Sequence, residues 1–399
     1  MSGNYDVVVA GHICCDITPK FETQGKKKID EILMPGKLVN MGDITISTGG
    51  PVSNTGIAMI KLGQSVQLMG KIGDDMLGGC VLNLLSDMDA ADCMTVVPGE
   101  KTSYTVAIVP VGYDRIFLHN PGANNTFNAQ DIDYDAVAQA KLFHFGYPPL
   151  MRSIFENGGE ELIKIFKKVR SMGVTTSLDM SLPDINSASG RADWEGILKK
   201  LLPYVDIYLP SVEETMFMID RPEYDALNRS ATGGDMLEHL DINRLQLLGN
   251  RLLSYGAKIV VIKCGVKGLY AATANEASLL QMGAAKPGNI SNWAKRELHA
   301  ESFHVEHVAS ATGSGDSAIA GFLAAFLRGR NIEETVKISC CVGGQNVQTL
   351  DALSGIKSWE ETVAMIPGWE NNRLKIDGDY WHYDSSERLW AGGGDRLHG

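Results

Sequence analysis

Six short runs of the chain, YDVVVAG, SVQLMGKIG, KLFHFG, VTTSLDMS, DIYLPS and AKIVVIKCG, are nearly continuous apolar segments. A strand with one wet face alternates apolar and polar residues, so runs without that alternation belong to a sheet covered on both sides. Between them lie segments of helical period such as EELIKIFKKVRSMG. Strand and helix alternating in this way predict an α/β fold, a three-layer α/β/α sandwich around a mainly parallel sheet. With 399 residues, 44% of them hydrophobic and 21% charged, the chain can build one such large domain and an appendage.

Two stretches break the rhythm. Residues 21–48 and 102–121 (the second reads TSYTVAIVPVGYDRIFLHNP) alternate apolar and polar residues with turn residues between. That is the pattern of exposed antiparallel strands, and it predicts a small β-sheet beside the main one, serving as a lid, a dimer contact or both. The core is then residues 1–20, 49–101 and 122–366. After Pro367 the composition shifts, and residues 367–399 hold three of the six tryptophans. Such a tail is too aromatic for disorder and is expected to pack as irregular structure on its own chain or on a neighbour.

The net charge of −12, with no basic cluster larger than Lys26-Lys27-Lys28, argues against nucleic acid as a partner. Apolar runs fall short of a membrane span, and MSGNYDVVVAG lacks the regions of a signal peptide. Seven cysteines, two adjacent pairs among them (Cys14-Cys15 and Cys340-Cys341), sit in apolar surroundings without a C-x-x-C. They read as reduced thiols of a cytoplasmic protein. His299, His304 and His307 lack metal-ligand spacing.

The chemistry concentrates in two motifs. In SATGSGDSAIAGFLAAFLRG, residues 310–329, the apolar positions Ile319, Phe322, Leu323, Phe326 and Leu327 mark an amphipathic helix that starts near Gly315 and stops at Gly329. Its first amides lack helical partners, and Gly313 and Gly315 permit the positive φ that gathers amides into an anion nest. Together they make a site for phosphate oxygens. Asp316 is then either a cap for the helix or a base beside the nest, taking a proton from an attacking hydroxyl. The second motif, STGGPVSNTGIAMIKLG, lets Gly49 and Gly50 bring backbone close to a ligand, with Pro51 opening a helix and Asn54 in its first turn. Asp16, read as the end of the first strand, is either a turn former or a carboxylate that grips hydroxyls.

With these motifs in this order, the chain resembles the ribokinase-like, or PfkB, carbohydrate kinases, from about Tyr5 to Ile366. GKIGDDMLG and VVIKCGVKGLYAA also fit segments of that family. The resemblance implies an ATP- and Mg²⁺-dependent kinase with Asp316 as catalytic base and the Gly313, Ser314 and Gly315 amides as anion hole. It implies substrate contacts from Asp16, Gly49, Gly50 and Asn54. Gly265 and Gly268 would border ATP, and Glu214 would lie near the metal-bound phosphates. The two insertions match the family's β-lid, often also a homodimer surface. Ser310 stands where the family begins its signature with Asp, which puts a monovalent cation in doubt, and Ser211 replaces the Asn of N-x-x-E. Gly56 replaces an alanine, SLDMSLPD lacks an arginine, and additions at 222–243 and 275–296 suggest an unusual subgroup.

The leading expectation is therefore phosphoryl transfer to a hydroxyl of a small sugar or polyol. An unphosphorylated sugar is preferred because no basic pair flanks STGG. A nucleoside is the nearest rival, and His119, Arg115 and Asn124 are candidate contacts. A non-catalytic sugar- or nucleotide-binding regulator is the alternative of another class. The first strand lacks G-x-G-x-x-G and the chain lacks G-x-x-x-x-G-K-[ST], which speaks against a dehydrogenase and a P-loop enzyme.

Overall fold

The first apolar run forms β1 (Tyr5–Gly11), whose side chains divide between two cores. Val7 and Val9 pack into one and Val8 and Ala10 into the other, which is why the run has no polar alternation. The computed structural model describes residues 5–21, 34–88, 90, 94–109, 116–231, 235–376 and 378–397. Arg115 and Lys26-Lys27-Lys28 lie outside them, as do parts of both lid insertions.

The remaining strands are β2 (Cys14–Pro19), β3 (Ile44–Gly49), β4 (Val66–Gly73), β5 (Met94–Val97), β6 (Tyr104–Ile108), β7 (Ile116–Asn120) and β8 (Ala140–Gly146), followed by β9 (Thr175–Leu178), β10 (Ile207–Tyr208), β11 (Ile259–Lys263), β12 (Leu269–Thr273), β13 (Glu297–Ala300), β14 (Trp381–Asp384) and β15 (Leu389–Gly392). Eleven of them form one sheet in the order β14-β15-β13-β12-β11-β10-β9-β8-β1-β4-β5. From β5 to β11 neighbours run parallel, and from β11 onward they are antiparallel. Val260 and Ile262 of β11 face one core and Ile259 and Val261 the other. The predicted three-layer α/β/α sandwich is therefore present. The second sheet, β3-β2-β6-β7, is the predicted small β-sheet.

Two expectations need correction. Asp16 does not end the first strand. β1 stops at Gly11, and after His12 and Ile13 the chain enters β2, which pairs with β3 and β6 in the small sheet. The small sheet therefore begins inside the stretch 1–20 read as core, and Asp16 rides on it. The tail is not irregular either. β14 and β15 form a hairpin that continues the main sheet, with Leu298 opposite Ala391 and His299 opposite Trp390. Without it β13 would expose an edge of unpaired amides and carbonyls. Trp381, Leu389 and Ala391 are buried in return, and Asp395 pairs with the buried Arg296 at 2.9 Å.

Among the described residues no helix is long and apolar enough to cross a membrane. The six described cysteines are unpaired, and all but Cys80 are buried.

Candidate active site

The helix Ser314–Leu327 follows the spacing predicted for residues 310–329, but it is buried on nearly every side rather than along one stripe. Phe322 and Phe326 meet the Trp293 ring edge-on at 6.0 and 5.5 Å. Gly321 approaches Val342 of the neighbouring helix. Each such fully buried side chain contributes roughly 1.5–3 kcal/mol, so the helix is fixed and its N-terminus with it. Gly313 precedes the helix with φ 74°, a left-handed turn glycine adopts without strain, and a Cβ there would lie 2.6 Å from the Ala352 Cβ. Gly315 does not share the positive φ predicted for it. Its missing side chain instead admits Lys263, whose Cε would sit 3.4 Å from a Cβ at this position. The first helical bond runs from the Ser317 amide to the Gly313 carbonyl at 2.8 Å. Earlier amides have no partner within the helix, although that of Ser314 turns back to the Ala311 carbonyl at 3.3 Å.

Asp316 stands in that first turn and is 2% exposed. Its carboxylate is not a helix cap. Asn54 Nδ2 donates to Oδ2 at 2.9 Å, Tyr147 donates to both oxygens at 3.0 Å, and Thr55 Oγ1 lies 3.4 Å from Oδ1. Asn54 and Thr55 come from the helix Pro51–Lys61, opened by Pro51 as the sequence predicts. The two motifs thus meet, although Asn54 and Asp316 are 262 positions apart in sequence.

Asp16 approaches from the small sheet. A Cβ on Gly49, two residues before the helix, would fall 2.2 Å from Asp16 Oδ2, so the absent side chain of Gly49 is the room the carboxylate occupies. The Cys14 thiol donates to Asp16 Oδ1 at 3.1 Å. Burial raises the Asp16 carboxyl above its usual range, and the nearby charge of Asp316 adds to this, against hydrogen bonds from Cys14 and Thr105. Gly50 turns at φ 84°, and a Cβ there would strike His12.

The next charges stand at the carboxyl ends of parallel strands, where open α/β sheets bind ligands. Lys263 ends β11 and binds Asp179, just beyond β9, at 2.6 Å. Burial alone would depress the lysine pKa, but Asp179, Glu214 and Asp316 override it and hold it raised. Glu214 follows β10. Its carboxylate accepts the Ser211 amide at 2.6 Å while Ser211 Oγ accepts the Glu214 amide, a capping box. The serine that replaces the family's asparagine therefore caps the helix that carries Glu214. Gly265 opens the turn between β11 and β12 and Gly268 closes it. A Cβ on Gly268 would lie 2.0 Å from the Ala300 carbonyl, so that turn admits no side chain. The structure does not place Asn124 as a free ligand contact. Its Nδ2 donates to the Ile13 carbonyl at 2.8 Å and its Oδ1 accepts from the Ile13 amide at 3.3 Å, pinning the turn between β1 and β2.

Sequence reasoning overlooked Tyr147, Lys263 and the role of Asp179. Each lies at or just past the end of an apolar run, where a parallel sheet gathers its ligand-binding residues. Tyr147 has φ 63°, an uncommon conformation for a bulky residue that marks functional turns. Its effect is testable. Burial pushes Asp316 upward, against the hydrogen bonds of Asn54 and Tyr147 and the charge of Lys263. Tyr147→Phe removes a bond that favours the ionised form, so the Asp316 pKa rises further and the ionised carboxylate is lost at higher pH. A pH–rate profile of kcat should show its acid limb displaced upward, and an unmoved limb would separate Tyr147 from the titration of Asp316.

A sequence profile described as pfkB family carbohydrate kinase matches residues 6–359. The chain belongs to this family. Among relatives of this pfkB kinase, the 5-dehydro-2-deoxygluconokinase of Lacticaseibacillus casei is 23% identical over 322 residues, 80% of this chain and 86% of that one. The probable chloroplastic fructokinase-6 of Arabidopsis thaliana is 30% identical over 137 residues, 34% of this chain and only 35% of that protein. The solved structure of Arabidopsis thaliana ribokinase, complexed with ribose and ATP, superposes with a TM-score of 0.64 at 19% identity, covering 91% of this chain and 98% of its own. The pfkB fold accordingly spans the parallel sheet and the small sheet together.

Proposed function

We propose that this pfkB kinase moves the γ-phosphate of ATP to a hydroxyl of a small, unphosphorylated sugar or related polyol. The observation that carries the reading is the 2.9 Å bond from Asn54 to Asp316. It joins the motif suited to a hydroxyl ligand to the motif suited to phosphate. The acceptor hydroxyl lies beside Asp316, held by Asp16 and Asn54. Asp316 takes its proton, the oxygen forms a bond to the γ-phosphorus, and the bond from phosphorus to the ADP oxygen breaks. The amides of Gly313, Ser314 and Gly315 and the Lys263 ammonium face the charge that spreads over the transferred group. Gly265 and Gly268 border the nucleotide. ATP as donor is supported by the ATP in the structure of the similar ribokinase.

Mg²⁺ in such reactions is bound mostly by phosphate oxygens and water, with one or two carboxylates. The acidic side of the site, the buried Asp179 and the half-buried Glu214 around Lys263, suits that demand, and Glu214 is the residue we assign to it. The ion would screen the phosphate charge. Among the described residues no cluster of three or more His, Cys, Asp or Glu is placed to hold a metal by itself. A homodimer through the lid is part of the reading. Ile44, Ile46, Ile116 and Leu118 are 56, 41, 41 and 52% exposed and share the face of the small sheet turned away from Asp16 and His119, an apolar face that a second lid would cover. Light scattering that returned the mass of one chain would remove it.

The deciding experiment is ADP release with sugars, sugar acids, phosphosugars and nucleosides as acceptors, each with and without potassium. An unphosphorylated sugar or polyol should give the highest kcat/KM. A nucleoside as best acceptor would transfer the reading to that substrate class. Ligand binding without ADP from any acceptor would leave a binding protein on a kinase fold.

A further inference from the structure

Among the buried polar atoms of the described residues that have no protein partner are His12 Nδ1, beside the Gly50 turn, and Asn54 Oδ1. Their residues are 2% and 5% exposed, and buried polar groups are rarely left in this state unless something else meets them. Asn54 donates its amide to Asp316, which makes the remaining atom an acceptor. The state of His12 follows from a chain of contacts through the lid. His12 Nε2 lies 3.4 Å from Nε2 of His119 on β7, and His119 Nδ1 lies 3.0 Å from Thr105 Oγ1 on β6. Cys14 spends its thiol proton on Asp16, so in the 3.6 Å contact between Cys14 Sγ and Thr105 Oγ1 the hydroxyl is the donor, and its proton is turned away from His119. The proton on His119 Nδ1 then points to Thr105 Oγ1, and His119 Nε2 accepts from His12 Nε2–H. That leaves His12 Nδ1 as a bare lone pair.

Among the described residues, four groups around the acceptor are thereby hydrogen-bond acceptors: Asp16, Asp316, Asn54 Oδ1 and His12 Nδ1. The complementary ligand is rich in O–H donors and carries no negative charge of its own, because a phosphate or carboxylate would meet two carboxylates in a poorly screened site. Resting on the kinase reading above, we propose that His12 and His119 form a relay with Thr105 that makes the pocket specific for an uncharged polyol with several neighbouring hydroxyls. His12 is the contact, and His119 is a positioning residue that fixes its tautomer from the lid. Burial keeps both rings below the ordinary histidine range, and for His12 the facing His119 adds to this, so neither supplies a cation for an anionic substrate. The sequence motifs give no hint of His12, since it lies four residues ahead of Asp16 in an otherwise apolar stretch.

The test compares fructose, ribose and sorbitol with fructose 6-phosphate and gluconate as acceptors for the wild type, His12→Phe, His12→Asn and His119→Phe. His12→Phe should raise KM for the best uncharged acceptor about 10- to 100-fold, the range for losing one hydrogen bond in a buried site, with KM for ATP unchanged. His12→Asn keeps a polar atom near the Nδ1 position and should recover most of the loss, whereas a merely structural histidine would not be rescued in KM. His119→Phe should move KM in the same direction by less. An unchanged KM in His12→Phe, an Asn variant no better than Phe, or a wild type that prefers the phosphate or the acid overturns the proposal. Should the wild type release no ADP with any acceptor, phosphoryl transfer fails by itself. Calorimetry of the same polyols then decides the pair: binding at least tenfold weaker in His12→Phe sustains it, and equal or undetectable binding in both proteins overturns it.

Discussion

Asp316→Asn should lower kcat by roughly 10²- to 10⁴-fold, the usual contribution of a positioned general base, while KM for ATP stays near its original value. The substitution is nearly isosteric and leaves an oxygen to accept from Asn54 and Tyr147, so the local geometry survives and only the basic lone pair is lost. Stability should move the other way. The folded pKa of Asp316 is raised, mainly by burial, so the folded chain binds this proton more tightly than the unfolded chain does. The destabilisation is therefore fully present above the folded pKa and disappears as pH falls below the unfolded one. At neutral pH the asparagine variant should melt at a higher temperature than the wild type, and the difference should shrink in acid. A slow enzyme that is also more stable identifies a charge retained for chemistry. Normal turnover would return Asp316 to a structural role.

The answer to why a carboxylate stands at the mouth of so apolar a helix lies in that opposition. The helix Ser314–Leu327 is immobilised by what it buries, and the rigidity is what lets Asp316 be held, uncapped and unsolvated, against Asn54. Much of this was legible beforehand, since apolar runs, turn glycines and helix starts are local properties that spacing reports directly. Gly313, Pro51 and Asn54 took the conformations their residue types suggest. What escaped was of two kinds. Lys263, Asp179 and Tyr147 become neighbours only when parallel strands align their carboxyl ends, and no spacing within one segment reports that register. Asp16 and the tail depart from the expectation because pairing partners decide sheets. Cys14–Pro19 could have prolonged β1, but its partners are β3 and β6, and the Trp381–Gly392 hairpin is ordered by the open edge of β13. His12 joins the first kind, since its meaning depends on a lid strand more than a hundred positions away.

Lys263 carries the second large effect. In Lys263→Met, Asp179 loses a partner 2.6 Å away inside a site where Asp179 is 1% exposed. Breaking a buried pair from one side typically costs about 3–5 kcal/mol, because the remaining charge is neither solvated nor paired, so the melting temperature should fall clearly. Activity should fall for a different reason. Lys263 lies beneath the first turn of the Asp316 helix, with its Cε within van der Waals reach of where a Gly315 Cβ would be, and its charge is available to a phosphoryl group seated on those amides. Removing a fixed electrostatic partner of a transition state costs on the order of 10²- to 10³-fold, and the loss should appear in kcat/KM for ATP. The two effects separate in Lys263→Met/Asp179→Asn, where no carboxylate remains stranded. That double variant should regain most of the stability and none of the turnover. A third consequence follows from the charges themselves: Lys263 lowers the Asp316 pKa, so part of the lost rate should return as the pH is raised and the base becomes ionised again. A double variant that recovered activity together with its melting temperature would make Lys263 a strut for Asp179 and leave the phosphate to the backbone amides alone.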